Sequence, residues 1–102
     1  MEIVKSATFD RRLHSLKDRR VVARVLVRVD RLVAGNPGDV KPVGDGISEL
    51  RIDCGPGYRV DDRQEGQRLI LLLCGGGKST QQRDIKRAHE IAQEWKNNEQ
   101  HD

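Results

Sequence analysis

Apolar positions along the chain recur first at helical spacing and later at alternating spacing. "EIV" at residues 2–4 predicts a short opening strand. Phe9, Leu13 and Leu16 then follow three and four residues apart, which predicts a helix over residues 7–16. In a second helix, Asp18 stands at the N-cap position and Val21, Val22, Val25, Leu26, Val29, Leu32 and Val33 line one side, until Gly35-Asn36-Pro37-Gly38 ends it. Its β-branched valines make this helix weak by propensity, so packing of the apolar side must hold it.

Beyond the turn the period changes to that of strands. "VKPV", "ISELRIDC", "YRVDDR" and "RLILLLC" are separated by Gly44-Asp45-Gly46, Gly55-Pro56-Gly57 and Glu65-Gly66-Gln67. The last run is apolar on both faces, as in a central strand covered from both sides. "GGGKSTQQRDIKRAHEIAQEW" opens a final helix, with Ser79 and Gln82 spaced as a capping box and Ile85, Ala88, Ala92 and Trp95 as its apolar seam. The expected fold is α+β, in the order β-α-α-β-β-β-β-α, with an antiparallel sheet packed by two N-terminal helices and a C-terminal helix. Residues 1–96 form the single domain, and the polar residues 97–102 a frayed tail.

If Gly55 to Gly57 form a three-residue hairpin loop, Ile52 faces Val60 and Leu50 faces Asp62 on one side of the sheet. The other side pairs Asp53 with Arg59, Arg51 with Asp61 and Glu49 with Arg63, all of opposite charge. Asp61 then has a partner, whereas Asp62 interrupts the apolar alternation. An ionised carboxylate there costs several kcal/mol, on the order of 2–7, unless it reaches water. Asp62 is therefore expected to be at least partly exposed.

Aromatic residues are only 3% of the chain, so the core must be aliphatic. The net charge of +3 is uneven: residues 1–34 hold nine Lys/Arg against four Asp/Glu. Arg20, Arg24, Arg28 and Arg31 form a basic stripe along the second helix, either a surface for RNA or an acidic partner or a solvated face. Cys54 and Cys74 have no zinc-site spacing and are expected to be reduced, packed thiols. No signal-type or membrane-spanning run is present, and a cytoplasmic location is expected.

"CGGGKST" approaches a P-loop, but Leu72 stands where the first glycine of that motif belongs, so nucleotide hydrolysis is not expected. The glycine run either cradles a single phosphate at a helix mouth or permits a sharp corner. His14, His89 and His101 are scattered and form no metal cluster. Basic residues do converge: Arg51 and Arg59 on one sheet face, Lys78 at the helix mouth and Lys41 on the neighbouring strand. Such cations can hold a phosphate and stabilise charge developing on it, or form a salt-bridge ladder with Glu49, Asp53 and Asp61.

"RLVAGNPGDVKPVGDGISELRIDCGPGYRV" and "LLLCGGGKSTQQRDIKRAHEIAQEW" resemble the RelE/ParE superfamily of toxin–antitoxin toxins, in particular the phage-derived, HigB-like addiction module killer proteins. The resemblance extends from the first strand to Trp95. It implies a translation-inhibiting toxin, neutralised by a helix-turn-helix antitoxin, which cleaves mRNA on the ribosome without a metal or other cofactor. Contact with operator DNA would be indirect, through the antitoxin complex. Arg51, Arg59 and Lys78 carry over as phosphate-contacting catalytic residues and Tyr58 as a further candidate. In such a toxin the stripe would meet ribosomal RNA or an acidic segment of the antitoxin, and Arg20, Arg24, Arg28, Arg31 and Lys41 are the expected RNA- or ribosome-binding residues. The same fold also serves antitoxin-bound co-repressors and ParE-like inhibitors of DNA gyrase. Two departures from the relatives' pattern stand out: Asp61 and Asp62 replace aromatics, and Gly77 replaces an aspartate. The first implies weakened RNA binding and reduced nuclease activity, which Asp61→Tyr would restore.

Overall fold

The structure, a computed structural model, describes residues 1–55 and 57–100; Pro56 of the predicted hairpin loop, and His101 and Asp102 of the predicted tail, lie outside the described residues. The chain runs β1 (Glu2–Lys5), α1 (Ala7–His14), α2 (Arg19–Val33), β2 (Val40–Pro42), β3 (Ile47–Ile52), β4 (Tyr58–Glu65), β5 (Leu69–Gly77), a 3-10 turn (Lys78–Thr80) and α3 (Gln81–Gln100). Ser6 caps α1, accepting from the Phe9 amide at 2.9 Å while its hydroxyl donates to the Leu73 carbonyl. Asp18 caps α2 by accepting from the Arg20 amide at 2.9 Å. The Ser79–Gln82 capping box does not form. The turn before α3 instead places the Thr80 hydroxyl 2.6 Å from Asp84 Oδ2, one helical turn on.

The sheet order is β1-β5-β4-β3-β2. It is mixed rather than wholly antiparallel, because β1 lies parallel to β5, with Glu2 opposite Leu69 and Lys5 opposite Leu72. The intervening helices and strands carry the chain back across the molecule, so β1 can run alongside the first half of β5 in the same direction. β5 is thus an inner strand covered on both faces, as its unbroken apolar run implied. On one face Phe9, Leu13, Val21, Val25, Val29 and Leu32 pack on Leu50, Ile52, Val60, Ile70 and Leu72. On the other, Ala88 and Ala92 of α3 pack on Ile47, Leu71, Leu73 and Cys74, with Trp95 at the margin. Leu26, assigned to the inner side of α2, is 44% exposed; the helix buries a narrower stripe than its full apolar set.

The β3–β4 register differs by two residues from the expected one. Between Ile52 and Tyr58 the Gly57 amide donates to the Cys54 carbonyl at 3.0 Å, with Gly55 and Gly57 at left-handed φ of 58° and 92°. Leu50 now faces Val60, Ile52 faces Tyr58 and Ser48 faces Asp62. A shift of two keeps every side chain on its expected face but changes its neighbour. The opposite-charge ladder is lost: Arg51 lies opposite Arg59, and Glu49 opposite Asp61. The register instead matches apolar residues beneath α1 and α2.

Asp61 and Asp62 are both buried, at 1% and 4% exposure, so the expected exposure of Asp62 is wrong. Successive strand residues point to opposite faces, and helices cover both faces here. The register between β4 and β5 shifts at this point: Asp61 faces Cys74 and Asp62 faces Leu72, leaving Leu73 as the extra bulge residue. No helix among the described residues is long and apolar enough to cross a membrane.

Candidate phosphate-binding cleft

Arg51, near the end of β3, and Arg59, near the start of β4, are direct cross-strand neighbours, and Arg59 in turn lies opposite Gly76 of β5. Lys78 follows immediately where β5 gives way to the 3-10 turn. The structure brings these three cations to one cleft of about 240 Å³, which Tyr58, Asp39 and Asp53 also line. Like charges directly opposite on a sheet repel, so the Arg51–Arg59 pairing favours an anion between its members.

Arg59 is held from below. Its Nε lies 3.4 Å from Glu49 Oε1, and both Glu49 oxygens accept from Gln81 Nε2 at 3.2 Å, which ties the guanidinium to the first residue of α3. Glu49 is buried beside Asp61, and Asp84 is buried nearby. Burial, then the charges of Glu49, Asp84 and Asp62, push the Asp61 carboxyl up to about 7, against the opposing pull of Arg59. Its Oδ1 meets no hydrogen-bond partner among the described residues. Asp61 therefore lies beneath the cations, outside the cleft lining, and its predicted pairing with Arg51 does not occur.

Sequence reasoning missed Arg12 and Asp84. Arg12 reaches from α1 to Asp84 Oδ1 at 2.9 Å, to Thr80 Oγ1 at 3.2 Å and to the Gly75 carbonyl at 3.1 Å, locking the end of β5. The Thr80–Asp84 spacing of four residues was the visible signal for part of this network. The network accounts for two of the glycines. A Cβ on Gly76 would lie 2.1 Å from Asp84 Oδ2, and one on Gly75 would lie 2.9 Å from the Tyr58 hydroxyl. Gly77 is the member of the run that opens toward solvent, lining a second opening with Gly57, Lys78 and Ser79.

Tyr58 is buried with Val60 in the α1/α2 core, and burial pushes its phenol up to about 12. Burial likewise raises the Cys74 thiol to about 11; both cysteines are free thiols. On α2, Arg28 is a structural clamp rather than part of an open stripe: its guanidinium donates to the carbonyls of Arg51, Pro37 and Asp39, the last two at 2.8 and 3.0 Å. Arg20, which leans toward Asp18 at 3.5 Å, is exposed, as are Arg24 and Arg31. Lys41 is exposed on β2 opposite Glu49 and does not line the cleft. His14 approaches the Asp10 carbonyl, and His89 bridges Asp45 and the Val43 carbonyl. No group of three His, Cys, Asp or Glu among the described residues is arranged to hold a metal ion.

An uncharacterized protein of Haemophilus influenzae (strain KW20/Rd) is 51% identical over 94 residues, spanning 92% of this chain and 95% of that protein. The chain belongs to the same family. No protein-family model matches it. Among solved structures, the crystal structure of the toxin-antitoxin complex RelBE2 from Mycobacterium tuberculosis contains a chain that matches with a TM-score of 0.58 at 21% identity. The match covers 76% of this chain and 96% of the other. The two share a fold, an α+β arrangement with a five-stranded mixed sheet in this family member.

Proposed function

We propose that this protein is the toxin of a type II toxin–antitoxin system and that its cleft cleaves RNA. The observation that carries the reading is the meeting of Arg51, Arg59 and Lys78 at one cleft, on a fold shared with a chain of a toxin-antitoxin complex. A substrate 2′-hydroxyl attacks the adjacent phosphorus, the bond to the 5′ oxygen breaks, and a 2′,3′-cyclic phosphate and a 5′-hydroxyl form. Arg51 and Arg59 stabilise the charge that gathers on the non-bridging oxygens. Lys78 is the cleft's proton donor for the leaving oxygen, and Asp39 and Asp53 are its carboxylates able to accept the attacking proton. Tyr58 lines the cleft with its phenol pushed up to about 12, so it stays protonated and cannot serve as the base.

Within this reading the partners are a helix-turn-helix antitoxin, through which operator DNA is contacted, and the ribosome carrying mRNA. Arg20, Arg24 and Arg31 are exposed cations of α2 and offer the ribosome or the antitoxin a basic surface. Burial of Asp61 and Asp62 removes the ground for weakened RNA binding, because neither lines the cleft. Asp39 and Asp53 do line it and offset part of its charge, which favours the second reading, a non-nucleolytic co-repressor or gyrase inhibitor.

Primer extension on cellular mRNA after induction of the protein alone separates the two. The nuclease reading expects discrete new 5′ ends, and a loss of about 10²–10³ in cleavage for Arg51→Ala or Arg59→Ala with the circular dichroism spectrum unchanged. Intact mRNA, or growth arrest accompanied by gyrase-dependent DNA breaks, would overturn it.

A further inference from the structure

Asp62 faces away from the cleft, toward the C-terminal end of α2. There it lines a separate cavity of about 300 Å³ with Leu32, Pro37, Val40, Ser48 and Gln64. The carboxylate is 4% exposed, and its Oδ1 meets no hydrogen-bond donor among the described residues. Ser48 lies directly opposite it on β3, and Gln64 stands two residues further along β4 on the same face. The Gln64 side-chain amide donates to the Gly66 carbonyl at 3.1 Å, which leaves its Oε1 free to accept. Leu32, Pro37 and Val40 supply apolar walls, and no Lys, Arg or His among the described residues lines the cavity.

We propose that this cavity binds an alkylammonium group, with the Asp62 carboxylate as counter-ion, Ser48 Oγ and Gln64 Oε1 as further acceptors, and Leu32, Pro37 and Val40 around the alkyl chain. Three acceptor groups match the three N–H donors of an ammonium, whereas a planar guanidinium would bring five. A metal ion fits less well, since one carboxylate and two neutral oxygens make a poor ligand set. The volume is at the lower end of small-molecule sites and suits a chain of four or five carbons. Burial alone pushes the Asp62 carboxyl up to about 7, and Asp62 is the sole titratable side chain among the residues lining the cavity. Binding therefore strengthens as pH rises through about 7, when the counter-ion becomes charged without help from the ligand. The ammonium can come from a free short-chain amine or from a lysine side chain of a partner protein.

The test is an amide-resolved NMR titration of the full chain with n-butylamine, cadaverine, Nα-acetyl-lysine N-methylamide and, as the uncharged counterpart, n-butanol. Saturable shifts confined to the segments around Leu32, Val40, Ser48 and Asp62 are expected with the amines and not with butanol. Asp62→Asn, which keeps the side-chain shape, should weaken amine binding about tenfold or more. Binding of the two simple amines alone assigns the site to free amines; binding of the lysine derivative as well assigns it to a partner's lysine. Equal shifts with butanol, unchanged affinity in Asp62→Asn, or shifts spread over the whole surface would each overturn the proposal.

Discussion

Asp62→Asn should make the protein more stable, and only above a definite pH. In the folded chain burial holds this carboxyl at about 7, against an ordinary value of 3.8. Between those two values the native state retains a proton that the unfolded chain has released. Stability is therefore fully present below the unfolded value and lost as pH rises through the folded one. Each pH unit in that window removes about 1.4 kcal/mol, so the whole interval removes about 4 kcal/mol. Asparagine has the same shape and does not titrate. Urea unfolding of wild type and variant, followed by circular dichroism from about pH 4 to pH 8, should give nearly equal stabilities at the acid end. The gap should widen to about 3–4 kcal/mol in the variant's favour at the alkaline end. Asp61 titrates in the same window and remains in both proteins, so the difference between the curves reports Asp62 together with the lesser push of its charge on Asp61. Parallel curves would refute the reasoning, since they would mean that the carboxylate is solvated in the folded state.

Arg28→Ala removes donors from the Arg51, Pro37 and Asp39 carbonyls and should cost about 2–3 kcal/mol in urea unfolding; a loss below about 0.5 would return Arg28 to the surface stripe. Gly76→Ala places a Cβ 2.1 Å from Asp84 Oδ2 and 2.6 Å from the Arg12 guanidinium, and thermal unfolding should show a loss of about 1–3 kcal/mol or more. Asp61→Tyr, which the sequence suggested would raise activity, should instead destabilise by about 3 kcal/mol or more, because the site is closed over by α3; a stable variant with increased mRNA cleavage would contradict that.

Much of the fold was legible in periodicity. Phe9 and Leu13, the valines of α2, and the unbroken apolar run of β5 each describe a surface that only one kind of neighbour can cover. The convergence of Arg51, Arg59 and Lys78 was also visible, since two are strand residues of one parity and the third begins the turn after β5. Arg28 was not. Its spacing fits a basic stripe, yet its guanidinium is used by carbonyls of a turn and a strand that no helical pattern brings into view.

The alternation of "YRVDDR" determined that Asp61 and Asp62 point to opposite faces of a sheet, and no change of register by two residues could alter that. Only the tertiary structure decided what those faces meet. The strand register closing at Ile52 and Tyr58 set Arg51 against Arg59 and Glu49 against Asp61, and α3 and the end of α2 closed over the two carboxylates. Side-chain direction is a local property of an extended backbone; solvent access depends on which distant element packs above it, and so it is settled only when the helices reach the sheet.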